Sequence, residues 1–135
     1  MLIYEDPRIG DVLLYQAGEE VNYVIDSVTV EAGIPACSIG QVLGMQTSSG
    51  QYTQLTPGAT DGTQNVAGIL LEQIVLPLGS VSPLSNTVYN VLRRGPAIVK
   101  STGLVYTAGM TSGQIATVAT QLLALGIKIE TAFGV

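Results

Sequence analysis

The sequence contains no histidine and no tryptophan, and Cys37 is its single cysteine. Histidine is both the commonest general base and the commonest metal ligand in proteins, so the usual centre of acid–base or metal chemistry is missing. A single cysteine excludes an internal disulfide and a multi-cysteine metal site. We therefore expect Cys37 to be a small buried hydrophobic residue, and we expect neither a metal nor another cofactor.

Charged residues are also scarce, at 11% of 135 residues, whereas an average soluble domain has about 25%. Hydrophobic residues reach 47%, yet no apolar run approaches the roughly 20 residues of a membrane-spanning helix. The sequence begins MLIYEDPRIGD, which is acidic where a secretory signal is basic. We expect no membrane association, and we attribute the apolar excess to surfaces that are buried against other protein chains.

The charges are divided unevenly along the chain. Residues 1–31 contain seven acidic residues and one basic residue, whereas residues 32–135 contain three acidic and four basic residues. A net charge of −5 argues against nucleic-acid binding, which relies on clustered Lys and Arg. Residues 1–18 have no helical period and include Pro7, Gly10 and Gly18. We expect residues 1–18 to be an extended arm that becomes ordered on a partner, and residues 19–135 to form one domain.

Short strands account for most of this domain. Residues 21–30 alternate between apolar and polar, with a phase slip that suggests a bulge at Asp26 and Ser27. A TSSG turn joins the two strands of a hairpin, and the Asp61, Gly62 pair marks a second turn. Strands are expected at residues 21–30, 40–46, 51–55, 66–71, 88–93, 97–100, 104–106 and 127–130.

One helix is expected, over residues 112–125. Its apolar residues recur at helical spacing, and Thr111 and Gln114 have the spacing of a capping box. Gly126 stands where a left-handed C-terminal cap is expected. The apolar stripe consists of Ile115, Val118, Ala119 and Leu122. The sequence therefore predicts an α+β fold that is mostly β, namely a small compact domain with one late helix and an extended N-terminal arm.

Two features suggest contacts with other chains. Residues 73–87 contain two prolines and a glycine, as surface loops do, but they are rich in apolar residues that we expect to be exposed at an intersubunit contact. These residues are Ile74, Val75, Leu76, Leu78 and Leu84. Arg93 and Arg94 form the only adjacent basic pair. They are either two solvated arginines at a strand end or partners of acidic residues on a neighbouring chain.

Catalytic residues are not apparent. The adjacent acidic pairs, Glu5 with Asp6 and Glu19 with Glu20, fall in or beside the expected arm, where a solvated charged segment is the simpler interpretation. No nucleophile-elbow, dinucleotide-binding or P-loop pattern occurs in the sequence, and no loop of alternating acids suits calcium. We do not expect an enzyme.

From residue 61 onward the sequence resembles a known family. The segments are DGTQNVAGILLE at residues 61–72, VLRRGPAIV at 91–99 and LALGIKIE at 123–130, preceded by the hairpin strands SIGQVLG and QYTQL. Their order and spacing resemble the tailed-bacteriophage head decoration family of the lambda D type. In that family a DG turn precedes an A-x-G-I-L strand, an R-G-P-A-x-V segment follows, and a short helix leads into a last strand. The resemblance covers about residues 35–130.

The resemblance implies a compact α+β fold with a partial, β-tulip-like barrel. It also implies a homotrimer on the outer surface of the virion capsid, at three-fold and quasi-three-fold positions of the expanded head, after assembly in the host cytoplasm. There the protein would stabilise the shell against DNA pressure, with the major capsid protein as its partner and an N-terminal arm ordered against it. We expect the arm to use Leu2, Ile3, Tyr4 and Ile9 for capsid binding.

Two other functions fit the composition. A tail or fibre-associated structural subunit would form rings or fibres by itself. A small-ligand-binding barrel would be monomeric and would have a saturable pocket. The low charge content and the absence of any polar constellation in the sequence favour the head decoration interpretation over both.

Overall fold

The protein is described by a computed structural model over residues 13–16, 25–31, 34, 36–74 and 88–130. These residues form eight strands and one α-helix. The elements are β1 (Leu13–Gln16), β2 (Ile25–Thr29), β3 (Val42–Met45), β4 (Tyr52–Gln54), β5 (Val66–Leu70), β6 (Val88–Leu92), β7 (Ala97–Lys100), α1 (Ser112–Ala124) and β8 (Ile127–Glu130). The predicted class, mostly β with one late helix, is confirmed.

Five strands form an antiparallel sheet in the order β2-β6-β5-β3-β4. Its two edges approach each other where Val30 makes a bridge with Tyr52, and the Glu31 backbone N–H donates to the Tyr52 carbonyl at 2.8 Å. This is a single bridge and not a ladder, so the sheet curls without closing into a barrel. The hairpin of β3 and β4 around residues 47–50 is confirmed.

The five-stranded sheet is buried on both faces. Successive strand residues point to opposite sides, so Ile69 and Leu70, like Val91 and Leu92, divide between two apolar clusters. The first cluster consists of Val42, Leu55, Val66, Ile69, Leu71, Leu92, Ala97, Val99, Leu104, Val118, Leu122 and Ile127. The second consists of Val28, Val30, Ile34, Cys37, Leu43, Tyr52, Leu70, Ile74 and Val91. Burial on both faces explains why residues 66–71 read as an unbroken apolar run.

A second sheet of three strands, in the order β1-β7-β8, packs with α1 over the first cluster. β7 and β8 are parallel, and α1 is part of the crossover that connects them. The predicted capping box is confirmed, because the Thr111 hydroxyl accepts from the Gln114 backbone N–H at 3.2 Å while the Gln114 side chain accepts from the Thr111 backbone N–H at 2.9 Å. Gly126 ends the helix with a φ of 87°, as predicted.

The predicted bulge at Asp26 and Ser27 is wrong, because all residues of β2 pair with β6 in an unbroken register. The phase slip has another cause. Ile25 packs against the first cluster, whereas Val28 and Val30 belong to the second. The hydrophobic pattern changes phase because the strand contributes to both faces of the sheet.

Three further predictions differ from the structure. Residues 104–106 form one isolated bridge, Val105 with Gln41, and not a strand. In the predicted helical stripe, Val118 and Leu122 are buried but Ala119 is exposed. Residues 13–16, assigned to the arm, form β1 on the domain. The rest of the arm lies outside the described residues.

Candidate assembly surfaces

The chain enters β1 and leaves β8 at the same end of the three-stranded sheet. β1 is antiparallel to β7, with Leu13 opposite Val99, and β8 is parallel to β7, with Glu130 opposite Lys100. Residues 1–12 and residues 131–135 are therefore attached to one end of this sheet. The structure gives the expected arm a defined point of attachment.

Arg93 follows the last residue of β6 and reaches across to the edge strand β2. Its Nη1 donates to Asp26 Oδ2 at 2.7 Å, with 32% and 28% of the two side chains exposed. This hydrogen bond is the main reason why the pKa of the Asp26 carboxyl lies below its ordinary value of 3.8, and the Ser27 backbone N–H acts in the same direction. The same pair raises the pKa of the Arg93 guanidinium.

The two arginines were predicted to be either solvated at a strand end or paired with acids on another chain. Arg93 does lie at a strand end, but its acidic partner is Asp26 of the same chain. Arg94 is half-buried and lines a shallow groove with Asn65 and Leu125. Contact of either arginine with a neighbouring chain stays a prediction.

Ile74 is not an exposed loop residue, which corrects the sequence analysis. Its side chain is 1% exposed within the second cluster, and its backbone exchanges two hydrogen bonds with Cys37, at 2.8 and 3.1 Å. Cys37 is itself buried, as predicted. Because Ile74 fills the core of its own subunit, the apolar character of this position needs no intersubunit contact. Val75, Leu76, Leu78 and Leu84 lie outside the described residues, as do Leu2, Ile3, Tyr4 and Ile9.

An apolar groove of about 500 Å³ runs between α1 and the edge strand β8. We call it the α1–β8 groove; its apolar lining includes Tyr106, Ile115, Ala119, Leu123, Ile127 and Ile129. Leu123 is 65% exposed, the most of any large hydrophobic residue in the described ranges. Partial burial raises the pKa of the Tyr106 hydroxyl, as expected for an apolar setting. Sequence reasoning missed this surface, although apolar residues on more than one side of the helix were a signal.

The segments that carry the family resemblance meet at two points of close backbone contact. Gly95 donates its backbone N–H to the Leu125 carbonyl at 2.8 Å, and its backbone lies against Gly126. In the hairpin, Gly44 lies against the backbone of Thr63 in the turn after Asp61, and a Cβ at Gly44 would overlap the Thr63 carbonyl. These motifs therefore hold strands and turns of the domain together.

The sequence profile of the family described as bacteriophage lambda head decoration protein D matches residues 2–127. The chain belongs to the head decoration protein family. The resemblance found in the sequence is thereby confirmed, and it extends over more of the chain than the motifs alone. A search of individually curated proteins finds no significant match.

Membership of the head decoration family identifies the chain as a structural protein of the bacteriophage capsid, located in the virion. Within the described ranges, no group of three or more His, Cys, Asp or Glu side chains is placed to hold a metal ion. Nor does any helix in that part of the chain have the length and apolarity to cross a bilayer. Candidate surfaces for assembly in the described part of the chain include the attachment end of the three-stranded sheet, the two arginines and the α1–β8 groove.

Proposed function

We propose that this chain is a capsid cement protein. It binds the outer surface of the expanded phage head as homotrimers at three-fold and quasi-three-fold positions, with the major capsid protein as its partner. The observation that carries the proposal is the match to the head decoration family over residues 2–127. The role is structural and involves no catalysis.

The composition supports a protein that works in contact with other chains. With 47% hydrophobic and 11% charged residues, it has few charges to cover an isolated monomer. Large apolar side chains are exposed at Leu123, and at Val88, which is 54% exposed at the start of β6. We propose that Val75, Leu76 and Leu78, in the apolar segment before β6, contact a neighbouring subunit or the capsid. Interfaces with other chains bury such residues.

The capsid contact is assigned to the arm, now limited to residues 1–12 because β1 belongs to the domain. An extended segment of this length reaches up to about 40 Å. The arm adds a strand to the edge of a capsid sheet, and the backbone hydrogen bonds of such a strand do not depend on its sequence. The apolar contacts come from Leu2, Ile3, Tyr4 and Ile9. The attachment end of the three-stranded sheet then faces the shell.

Three arms on one trimer bind as a single multivalent unit. Linking the arms raises the avidity by on the order of 100-fold or more over one arm, so weak contacts give firm attachment. Binding to the expanded lattice alone stabilises that lattice by mass action, by about 2.7 kcal/mol per site at a free concentration of 100 times the Kd. This is how the protein would oppose the pressure of packaged DNA.

Deletion of residues 2–12 tests the role of the arm. We expect the shortened protein to keep the unfolding midpoint of the intact protein, because β1 and both apolar clusters remain. We also expect it to lose at least about 100-fold in affinity for expanded heads, measured by co-sedimentation. A companion variant replaces residues 2–12 by a Gly/Ser segment of equal length, which should bind more weakly than the intact protein because it lacks the apolar side chains of the arm. Unchanged binding by either variant would refute the arm as the capsid contact.

A further inference from the structure

The outer edge of β2 faces a cleft and not another strand. β2 is an edge strand of the five-stranded sheet and pairs with β6 over Ile25–Thr29. The opposite edge of the sheet, β4, reaches it only beyond Thr29, where Val30 makes a single bridge with Tyr52. A cleft of about 460 Å³ separates β2 from the β3–β4 hairpin. Within the described ranges, no strand therefore pairs with the outer edge of β2.

The hydrogen bonds of β6 show which backbone groups of β2 point towards this cleft. The Asn90 backbone N–H donates to a Glu72 carboxylate oxygen at 2.6 Å, and the Asn90 carbonyl accepts from the Leu71 N–H at 3.0 Å. Both Asn90 groups are thus used on the β5 side of β6. Ser27 lies directly opposite Asn90, and opposite residues of an antiparallel pair exchange either both hydrogen bonds or none. The Ser27 backbone N–H and carbonyl therefore point outwards.

The Asp26 carboxylate covers this outward-facing N–H. Its Oδ1 accepts from the Ser27 N–H at 2.8 Å, and its Oδ2 accepts from Arg93 Nη1 at 2.7 Å. One oxygen occupies the backbone donor, while the arginine holds the other oxygen in place. Asp26, Ser27 and Arg93 all line the cleft. A strand that approached β2 through the cleft would have to displace the carboxylate from the Ser27 N–H.

We propose that the outer edge of β2 is a site for strand pairing with a second copy of this chain, and that Asp26 keeps this site closed. Unpaired backbone groups at a sheet edge pair readily with another chain, and a charged side chain at the edge opposes such pairing. Two copies that paired through their β2 edges would also bring two Asp26 carboxylates together, and like charges repel. This device belongs to the folded chain and does not depend on capsid binding.

Removal of the carboxylate tests the proposal. In Asp26→Ala the Ser27 N–H loses its acceptor, so we expect the variant to self-associate as its concentration is raised. Sedimentation velocity over a concentration series measures the weight-average mass, which should rise to at least about twice the wild-type value when two copies share an edge. Circular dichroism verifies that the variant is folded. A mass equal to that of the wild type at every concentration would overturn the proposal.

Arg93→Met is the matched control. It removes the same ion pair as Asp26→Ala but leaves the carboxylate beside the Ser27 N–H, so the edge stays closed. We expect this variant to keep the wild-type mass throughout the concentration series. Self-association of Arg93→Met to the same extent as Asp26→Ala would overturn the proposal, because the loss of the ion pair alone would then explain the effect.

A second substitution identifies the surface that associates. Ser27→Pro, added to Asp26→Ala, removes the outward N–H and places a ring on the open side of the strand. Proline is tolerated on edge strands where the N–H faces away from the ladder, as it does at Ser27. We expect the double variant to return to the wild-type mass and Ser27→Pro alone to keep it. Continued self-association of the double variant would show that another surface is responsible and would overturn the proposal.

Discussion

Gly44 and Gly62 bring the β3–β4 hairpin and the turn before β5 into backbone contact. Gly62 has a φ of 103°, and a Cβ on it would lie 2.7 Å from the Met45 carbonyl oxygen. The Asp61, Gly62 pair predicted this turn from the sequence, because few residues other than glycine adopt a positive φ. Gly44 had no local signal, since its backbone is unexceptional and only the approach of Thr63 excludes a side chain.

Gly44→Ala is expected to destabilise the protein by about 1–3 kcal/mol, because the added methyl group forces the hairpin away from the turn. Gly113→Ala is the matched control, since a Cβ at that exposed helical position meets only the Thr111 hydroxyl at 3.9 Å. It should leave the stability unchanged or raise it by up to about 1 kcal/mol. Urea unfolding of both variants measures the difference, and equal stability of the two would contradict the close approach.

Asp26→Asn removes the ion pair with Arg93 and keeps the shape of the side chain. Because both partners are partly exposed, the expected loss is at most about 1 kcal/mol at pH 7. The folded-state pKa of Asp26 lies below 3.8, so the stabilisation is present above that pH and disappears as the pH falls through the lowered value. The stabilities of wild type and variant should therefore converge in acid, as measured by urea unfolding across pH.

Glu130→Gln is the control for this effect. Its partner Lys128 is 3.6 Å away and 64% exposed, so we expect no measurable change at either pH. A pH-independent difference between wild type and Asp26→Asn would mean that the ion pair does not contribute. The sequence could place Arg93 at a strand end, but its partner lies 67 positions away. That pairing requires the β2–β6 register, which no local pattern contains.

Among the elements, α1 was the most predictable. Its capping box, apolar spacing and glycine stop are all local signals, and the observed helix differs from the expected range by one residue at its end. Strands were found where short apolar runs are bounded by turns. Three features depend on partners that are distant in the sequence, namely the order of the strands, the single bridge at Val105 and the burial of β2 on both faces. Periodicity alone therefore predicted a bulge in β2 that the structure does not contain.

The cap of α1 is the element-scale test. Thr111→Ala removes the hydroxyl that accepts from the Gln114 backbone N–H, and we expect a loss of about 1 kcal/mol in the free energy of unfolding. Thr120→Ala is the control, because Thr120 is exposed within the helix and its hydroxyl bonds only to the Ala116 carbonyl, at 3.3 Å. Alanine favours the helix there, so stability should be maintained or increased. Equal losses would mean that the cap is not stabilising.

At the scale of the whole molecule, the five-stranded sheet is enclosed on both faces by the chain itself. Assembly contacts must therefore come from the surface around this core. The family motifs predicted the class of fold and the protein family. Their glycines Gly44, Gly95 and Gly126 lie where two backbone segments are in close contact, so these motifs reflect the packing of the fold. The α1–β8 groove could not be predicted, since it arises where a helix and a strand are brought side by side by their shared turn.

We propose that the protein cements the expanded head. Co-sedimentation of the purified protein with undecorated expanded heads, and in parallel with unexpanded procapsids of its source phage, tests this most directly. We expect saturable binding to the expanded heads, with one trimer added at each three-fold or quasi-three-fold position, and no binding to procapsids. Absence of binding to either particle would contradict it and would favour a tail or fibre-associated subunit that shares the fold of the family.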